Sequence, residues 1–225
     1  IKPEITLEIN PTKGKSLDFK ALKSIGINRL SVGLQSANDT DLSFLGRLNT
    51  AKDAYDTIQS AKTAGFNNIS ADLMIALPYQ TNESINESIK FCSNMDIQHI
   101  SSYMLKIEPN TIFYDIKDTL PLKTDEESAD MYLYTCEKLE QHGFLQYEIS
   151  NFAKPGFSSK HNLKYWNCDE YIGFGPSAHS FFNKERFYYK NSFKDFLENT
   201  PPIFDSKGGT EEEYIFLRLR LNEGL

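Results

Sequence analysis

The chain has 225 residues, and it is poor in cysteine, in tryptophan and in long apolar runs. Its three cysteines, Cys92, Cys136 and Cys168, stand far apart. None forms a CxxC or CxxxC pair, so the sequence holds no self-contained thiolate site for zinc or an iron–sulfur cluster. So few thiols also argue against a disulfide framework and point to a reducing, cytoplasmic compartment. Basic residues are in deficit: 24 Lys and Arg against 31 Asp and Glu give a net charge of −7. A nucleic-acid surface needs clustered cations that displace counterions, so that class of partner is not expected. No apolar run approaches the roughly 20 residues of a membrane span. Residue 1 is Ile, and the last residues, LRLRLNEGL, end in mid-pattern. The expectation is either an excised piece of a longer protein or processed termini.

What is present is a globular composition, 40% hydrophobic and 24% charged. Strand-like and helix-like runs alternate over the first 150 residues. ITLEIN (5–10), RLSVGLQS (29–36), NNISADLMIALP (67–78) and HISSYMLKI (99–107) read as strands. Helices are expected over 16–26, 50–65 and 81–95, and from the Thr124–Glu127 capping box to about His142. A fifth strand, QYEIS (146–150), follows. Buried apolar strands alternating with helices imply a parallel sheet, either part of a βα barrel or a doubly wound sheet. Beyond residue 150 aromatics crowd in and Gly and Pro punctuate short runs, which predicts a second, small α+β region over 151–225.

Polar residues recur toward the carboxyl ends of the strands, where a parallel barrel builds its site. They are Glu8 in LEINP, Gln35 in GLQS, Asp72 in ADLM and Lys106 in MLKIEPN, with Arg47 soon after the second strand. Two carboxylates, an amide and a guanidinium suit a small zwitterion bearing hydroxyls: carboxylates take ribose hydroxyls or an ammonium, and Arg takes a carboxylate in bidentate fashion. The competing reading is that Glu8 and Asp72 only pair with Arg29 or Arg47, or cap loops.

The only tryptophan lies in HNLKYW (161–166), followed by YIGFGPSAHS (171–180). Three readings of His161 stand side by side. It is a zinc ligand or general base, although Cys168 is the sole other donor near it. It is a turn histidine, with Asn162 making the turn and the imidazole bonded to main chain. Or it is an axial ligand to heme iron, with Tyr165, Trp166 and nearby Phe residues as an apolar wall. His179 is a weaker second candidate, and Gly173 and Gly175 allow tight turns.

LEINP, NRLSVGLQS with FLGR, ADLMIALPYQT, SSYMLKIEPNT, QYEISNFAKPG, HNLKYW and YIGFGPSAHS occur together and in order. As a set they resemble the radical S-adenosylmethionine (SAM) proteins related to oxygen-independent coproporphyrinogen III oxidase. HNLKYW and GFGPSAHS are similar to the heme chaperone branch of that group. The resemblance runs over roughly residues 4–221. It implies a partial (β/α)6 barrel followed by a family-specific C-terminal region. It also implies SAM across the barrel mouth, with Glu8, Asp72, Gln35 and Arg47 matching the family's contacts. Lys106 matches a further contact that the family often makes through main chain. His161 falls in the motif that the branch associates with heme.

The family's CxxxCxxC loop and GGGTP turn lie upstream of LEINP. The resemblance therefore implies a 4Fe-4S cluster whose ligands, with the first two barrel strands, are missing from this chain. Alone it is expected to lack radical activity, because reductive cleavage of SAM needs that cluster. An open LEINP edge would favour self-association. The function implied is heme binding and delivery to an acceptor in electron transport. The rival is oxidative decarboxylation of coproporphyrinogen III to protoporphyrinogen IX in porphyrin biosynthesis.

Overall fold

The computed structural model describes residues 3–12 and 17–225. Two compact units divide the chain between Ser158 and Ser159. In the first, β1 (Thr6–Ile9), α1 (Phe19–Ser24), β2 (Arg29–Gln35), α2 (Asp39–Phe44), α3 (Ala51–Thr63), β3 (Ile69–Ile75), α4 (Asn82–Asn94) and β4 (His99–Met104) follow one another. α5 (Ile112–Ile116), α6 (Asp125–Gln141), β5 (Leu145–Glu148) and β6 (Asn151–Ala153) complete it. Residue 16, the first of the helix expected over 16–26, lies outside the described residues.

The helices start where the sequence caps them. Thr50, Thr81 and Thr124 each accept from the backbone at the third helical position, and the side chains of Asp53, Ser84 and Glu127 accept in return from the backbone N–H of those threonines. These boxes satisfy amides that the helix itself leaves open. α2 was not expected; Asn38 caps it, accepting from Thr40 and Asp41.

Among the described residues the sheet order is β1-β2-β3-β4-β6-β5. β1 through β4 pair in parallel, as the alternation predicts. The end of the sheet departs from the expectation: β5 does not extend the parallel run. It turns back through β6, which pairs antiparallel with both β4 and β5. The reversal is built on a buried carboxylate, since Glu148 accepts from Ser150 N and from Asn151 Nδ2.

Alternation along the strands separates two faces. Leu30, Val32 and Leu34 of β2, Ile69, Ala71, Leu73 and Ile75 of β3, and Ile100 of β4 form one face. They pack with Phe19 of α1, Ala54, Ile58 and Ala61 of α3, Ile85 and Ile89 of α4, and Met131 and Leu139 of α6. Fully burying a side chain such as Ile58 stabilises by about 2 kcal/mol. The other face carries Glu8, Arg29, Ser31, Gln35, Ser70, Asp72, His99, Ser101 and Tyr103, polar positions on four adjoining strands.

The second unit holds α7 (Lys160–Trp166), β7 (His179–Phe182), β8 (Glu185–Tyr188), α8 (Phe193–Leu197), β9 (Ile203–Lys207) and α9 (Glu211–Arg218). β7, β8 and β9 form an antiparallel sheet, giving a small α+β body. HNLKYW is a helix rather than a turn. Ser159 caps it, accepting from Asn162 N, so Asn162 enters the first helical turn.

Candidate functional site

The polar face of the larger sheet is layered across the strands. In the register, Glu8 lies beside Ser31, Asp72 beside Ser101, and Ser101 beside Asn151. Ser31 Oγ donates to Asp72 Oδ1 at 3.3 Å. Asp72 is thus at the middle of β3, not at its end, and it joins the β2 and β4 hydroxyls. Burial is the largest influence on its carboxyl and pushes its pKa up; hydrogen bonds from Ser101 and Ser31 partly oppose this. No ion pair among the described residues joins Glu8 or Asp72 to Arg29 or Arg47. No direct ion pair therefore consumes these carboxylates, although the charge of Arg29 still acts on Asp72.

One layer toward the carboxyl ends sits a second group. Arg47 Nη1 donates to Asn10 Oδ1 at 3.0 Å, which brings the guanidinium to the end of β1. Gln35 is buried, has φ 65° and follows a register shift in β2. A bulge re-aims the side chain at such a point, and a non-glycine residue in the left-handed region is held there by its surroundings. Tyr103 OH donates to Gln35 Oε1 at 2.8 Å. Burial, then the charge of Asp72, raises the Tyr103 pKa, so the phenol stays a donor. Gly33 lies between these groups. A Cβ there would stand 2.5 Å from Asn10 Oδ1 and 3.2 Å from Gln35 Nε2.

The structure therefore gathers Glu8, Asp72, Gln35 and Arg47 on one face and around one strand end. Lys106 does not join them: β4 ends at Met104, and the exposed ammonium pairs with Glu108. Asn10 and Tyr103 were missed in the sequence. Their spacing carries no signal, because they meet the others only through strand register. A buried network also ties the β2 and β3 loops together. Ser36 Oγ donates to Asp41 Oδ2 at 2.8 Å, Ser88 Oγ accepts from Ala37 N, and Gln80 Nε2 donates to Met74 O.

A SAM molecule fits this set in kind. The glycine cradle, two carboxylates without an ion pair, an amide and a guanidinium lie on one face of the sheet, and they match a ligand with hydroxyls, an ammonium and a carboxylate. A 4Fe-4S cluster does not fit the residues present. Cys92 is fully buried, its thiol pushed up to about 12 by burial, and no group of three His, Cys, Asp or Glu suited to a metal exists among the described residues.

In the second unit, His161 and Tyr165 lie one helical turn apart on α7. Tyr165 OH and His161 Nε2 are 2.8 Å apart, and the rings meet edge to face at 4.9 Å. The imidazole thus bonds a side chain one helical turn away through Nε2. Arg220 lies over the Trp166 indole at 4.1 Å. His179 stacks on Tyr188 at 5.1 Å. Gly173 is required for close packing, since a Cβ would run into the carbonyl oxygen of His179.

Comparison with known proteins places this geometry. Residues 1–92 match the model of the Radical SAM superfamily. The chain is 40% identical over 99% of its length to the heme chaperone HemW of Bacillus subtilis, and 34% identical over 99% to that of Lactococcus lactis. It is 40% identical over 80% of its length to the mitochondrial radical S-adenosyl methionine domain-containing protein 1 of Bos taurus. The chain spans 61% of the length of each of the two bacterial relatives. In fold it is similar to the coproporphyrinogen III oxidase HemN of Escherichia coli, with a TM-score of 0.77 at 19% identity over 96% of this chain and 54% of that one. That likeness is one of fold. The chain is thus similar over almost its whole length to these heme chaperones, and its first 92 residues match the Radical SAM superfamily model.

Proposed function

We propose that the protein to which this chain belongs binds heme and SAM and delivers heme to an acceptor protein, such as a respiratory-chain component, in the cytoplasm. The observation that carries this is 40% identity to a heme chaperone over 99% of the chain. Glu8, Asp72, Gln35 and Arg47 are the residues that would hold SAM: carboxylates to hydroxyls or ammonium, Arg47 to carboxylate. In this superfamily the bound cofactor supplies one-electron chemistry. The chain's own residues orient it. The helix that carries HNLKYW, with His161 in it, is the element assigned to heme. Full-length protein titrated with hemin should show a saturable Soret shift and then pass the heme to an apo-hemoprotein. Turnover of coproporphyrinogen III without such transfer would replace this reading with the oxidase.

The glycine cradle gives a test of the SAM half. Gly33→Ala must displace the Asn10 side chain, which holds Arg47. A surface amide moves cheaply, so the melting temperature should change little. SAM affinity, measured by equilibrium dialysis on full-length protein, should fall about tenfold, the equivalent of one lost hydrogen bond to a charged group. Unchanged affinity would remove Gly33, Asn10 and Arg47 from the site.

A further inference from the structure

We propose that Tyr165, and not His161, is the side chain of HNLKYW that ligates heme iron, with His161 accepting the phenol proton. This rests on the heme-binding reading above. The helix puts the two side chains on one face, and the hydrogen bond between them occupies Nε2 of His161. That is the imidazole nitrogen farthest from the backbone. For His161 to ligate through it, the bond to Tyr165 must break and the ring must turn. For Tyr165 the contact with His161 can stay in place, because only the proton has to move along it. In the tautomer protonated at Nδ1 the phenol donates to Nε2 and keeps its oxygen lone pairs available, and tyrosinate is an established axial ligand of heme iron.

The surroundings favour the same choice. Tyr165 is half-buried, whereas His161 is exposed. The Tyr165 ring is held edge to face by Tyr171 at 4.7 Å and by Trp166 at 6.4 Å. A ligand whose rotamer is fixed by its neighbours loses little entropy on binding. Directly after Tyr171 come Ile172 and Phe174, 52% and 86% exposed, apolar side chains with surface to cover. Lys164, three residues after His161 and on the same face of the helix, is an exposed cation suited to a propionate. The step balances without a redox partner. The O–H bond of Tyr165 breaks, its proton moves along the existing hydrogen bond to Nε2, and an iron–oxygen bond forms with iron remaining ferric. The resulting phenolate–imidazolium pair is neutral overall.

Resonance Raman spectroscopy of the full-length protein with ferric hemin tests this. Wild type should show an iron–phenolate band that shifts when the protein carries ring-deuterated tyrosine, a measurement that needs no variant. Tyr165→Phe should lose the band and weaken hemin binding about tenfold or more. His161→Ala should keep the band while binding less tightly. Loss of ligation in His161→Ala with no phenolate band in wild type would overturn the proposal and leave heme binding standing. So would wild-type spectra in both variants, which would put heme elsewhere. No hemin uptake by wild type would overturn the functional reading and the proposal together.

Discussion

Taking the protein from about pH 7.5 to about pH 4.5 should cost roughly 2.5 kcal/mol of stability through His99 alone. His99 is fully buried on the polar face of the sheet. Nδ1 meets Ser70 Oγ at 2.7 Å and Nε2 meets the Tyr147 hydroxyl at 2.8 Å, so the neutral ring is satisfied at both nitrogens. Burial, and after it the charge of Arg29, pushes its pKa down to about 3 from the ordinary 6.5. The unfolded chain therefore binds a proton that the folded one refuses throughout that interval. Stability is full above the unfolded value and drains as pH falls from about 6.5 toward 3. For a domain of this size the loss corresponds to roughly 5–10 °C in melting temperature. His99→Gln should flatten the dependence over the same window, although it lowers stability near neutrality by disturbing Ser70 and Tyr147. The Asp96 pairs with Lys154 and Lys62 do not confuse the measurement. They hold the Asp96 pKa down, so their contribution is lost only below its unfolded value of 3.8. Calorimetry of both proteins across the window checks this; parallel curves would refute it.

The residues of the candidate site were legible in the sequence to the extent that their chemistry was local. Thr50, Thr81 and Thr124 fix helix starts through bonds three residues long, so the alternation of strand and helix could be read directly. Glu8, Asp72 and Gln35 stand out because polar residues interrupt the strands, and Arg47 stands in the loop that follows α2. Their partners did not stand out. Tyr103 reaches Gln35 across 68 positions and Arg47 reaches Asn10 across 37. Such contacts depend on which strands adjoin and in what register, and no spacing encodes that. The β5–β6 reversal was missed for a different reason: its turn is stabilised by the Glu148 carboxylate, not by the Gly or Asn that mark hairpins. In HNLKYW the i,i+4 spacing of His161 and Tyr165 was visible. Reading Asn162 as a turn residue concealed it, since Ser159 caps the helix three positions earlier.

Asp72→Asn should raise the melting temperature near neutral pH and at the same time weaken SAM binding by about 10- to 150-fold. The two effects have one origin. Burial raises the Asp72 pKa above its unfolded value, with Ser101 and Ser31 only partly compensating. Folding is therefore easier with the carboxyl protonated than charged. The penalty is absent below the unfolded pKa of 3.8 and is fully felt once pH exceeds the raised folded value. An amide keeps an acceptor for the Ser31 hydroxyl and carries no charge, so it relieves the penalty at neutrality and nowhere else. The gain of the variant should vanish in acid, opposite in direction to the His99 effect over much of the same range. Asp72 is half-buried with no ion pair, so the cost of its charge has to be offset by what else it binds. Losing a hydrogen bond to a charged group costs about 1.5–3 kcal/mol, which sets the expected fall in affinity. Melting curves at several pH values and equilibrium dialysis with SAM, both on full-length protein, separate the halves. A variant that is more stable yet binds SAM as wild type would leave Asp72 buried for some other ligand. One that is less stable at neutrality would mean that the Ser31 and Ser101 bonds outweigh desolvation.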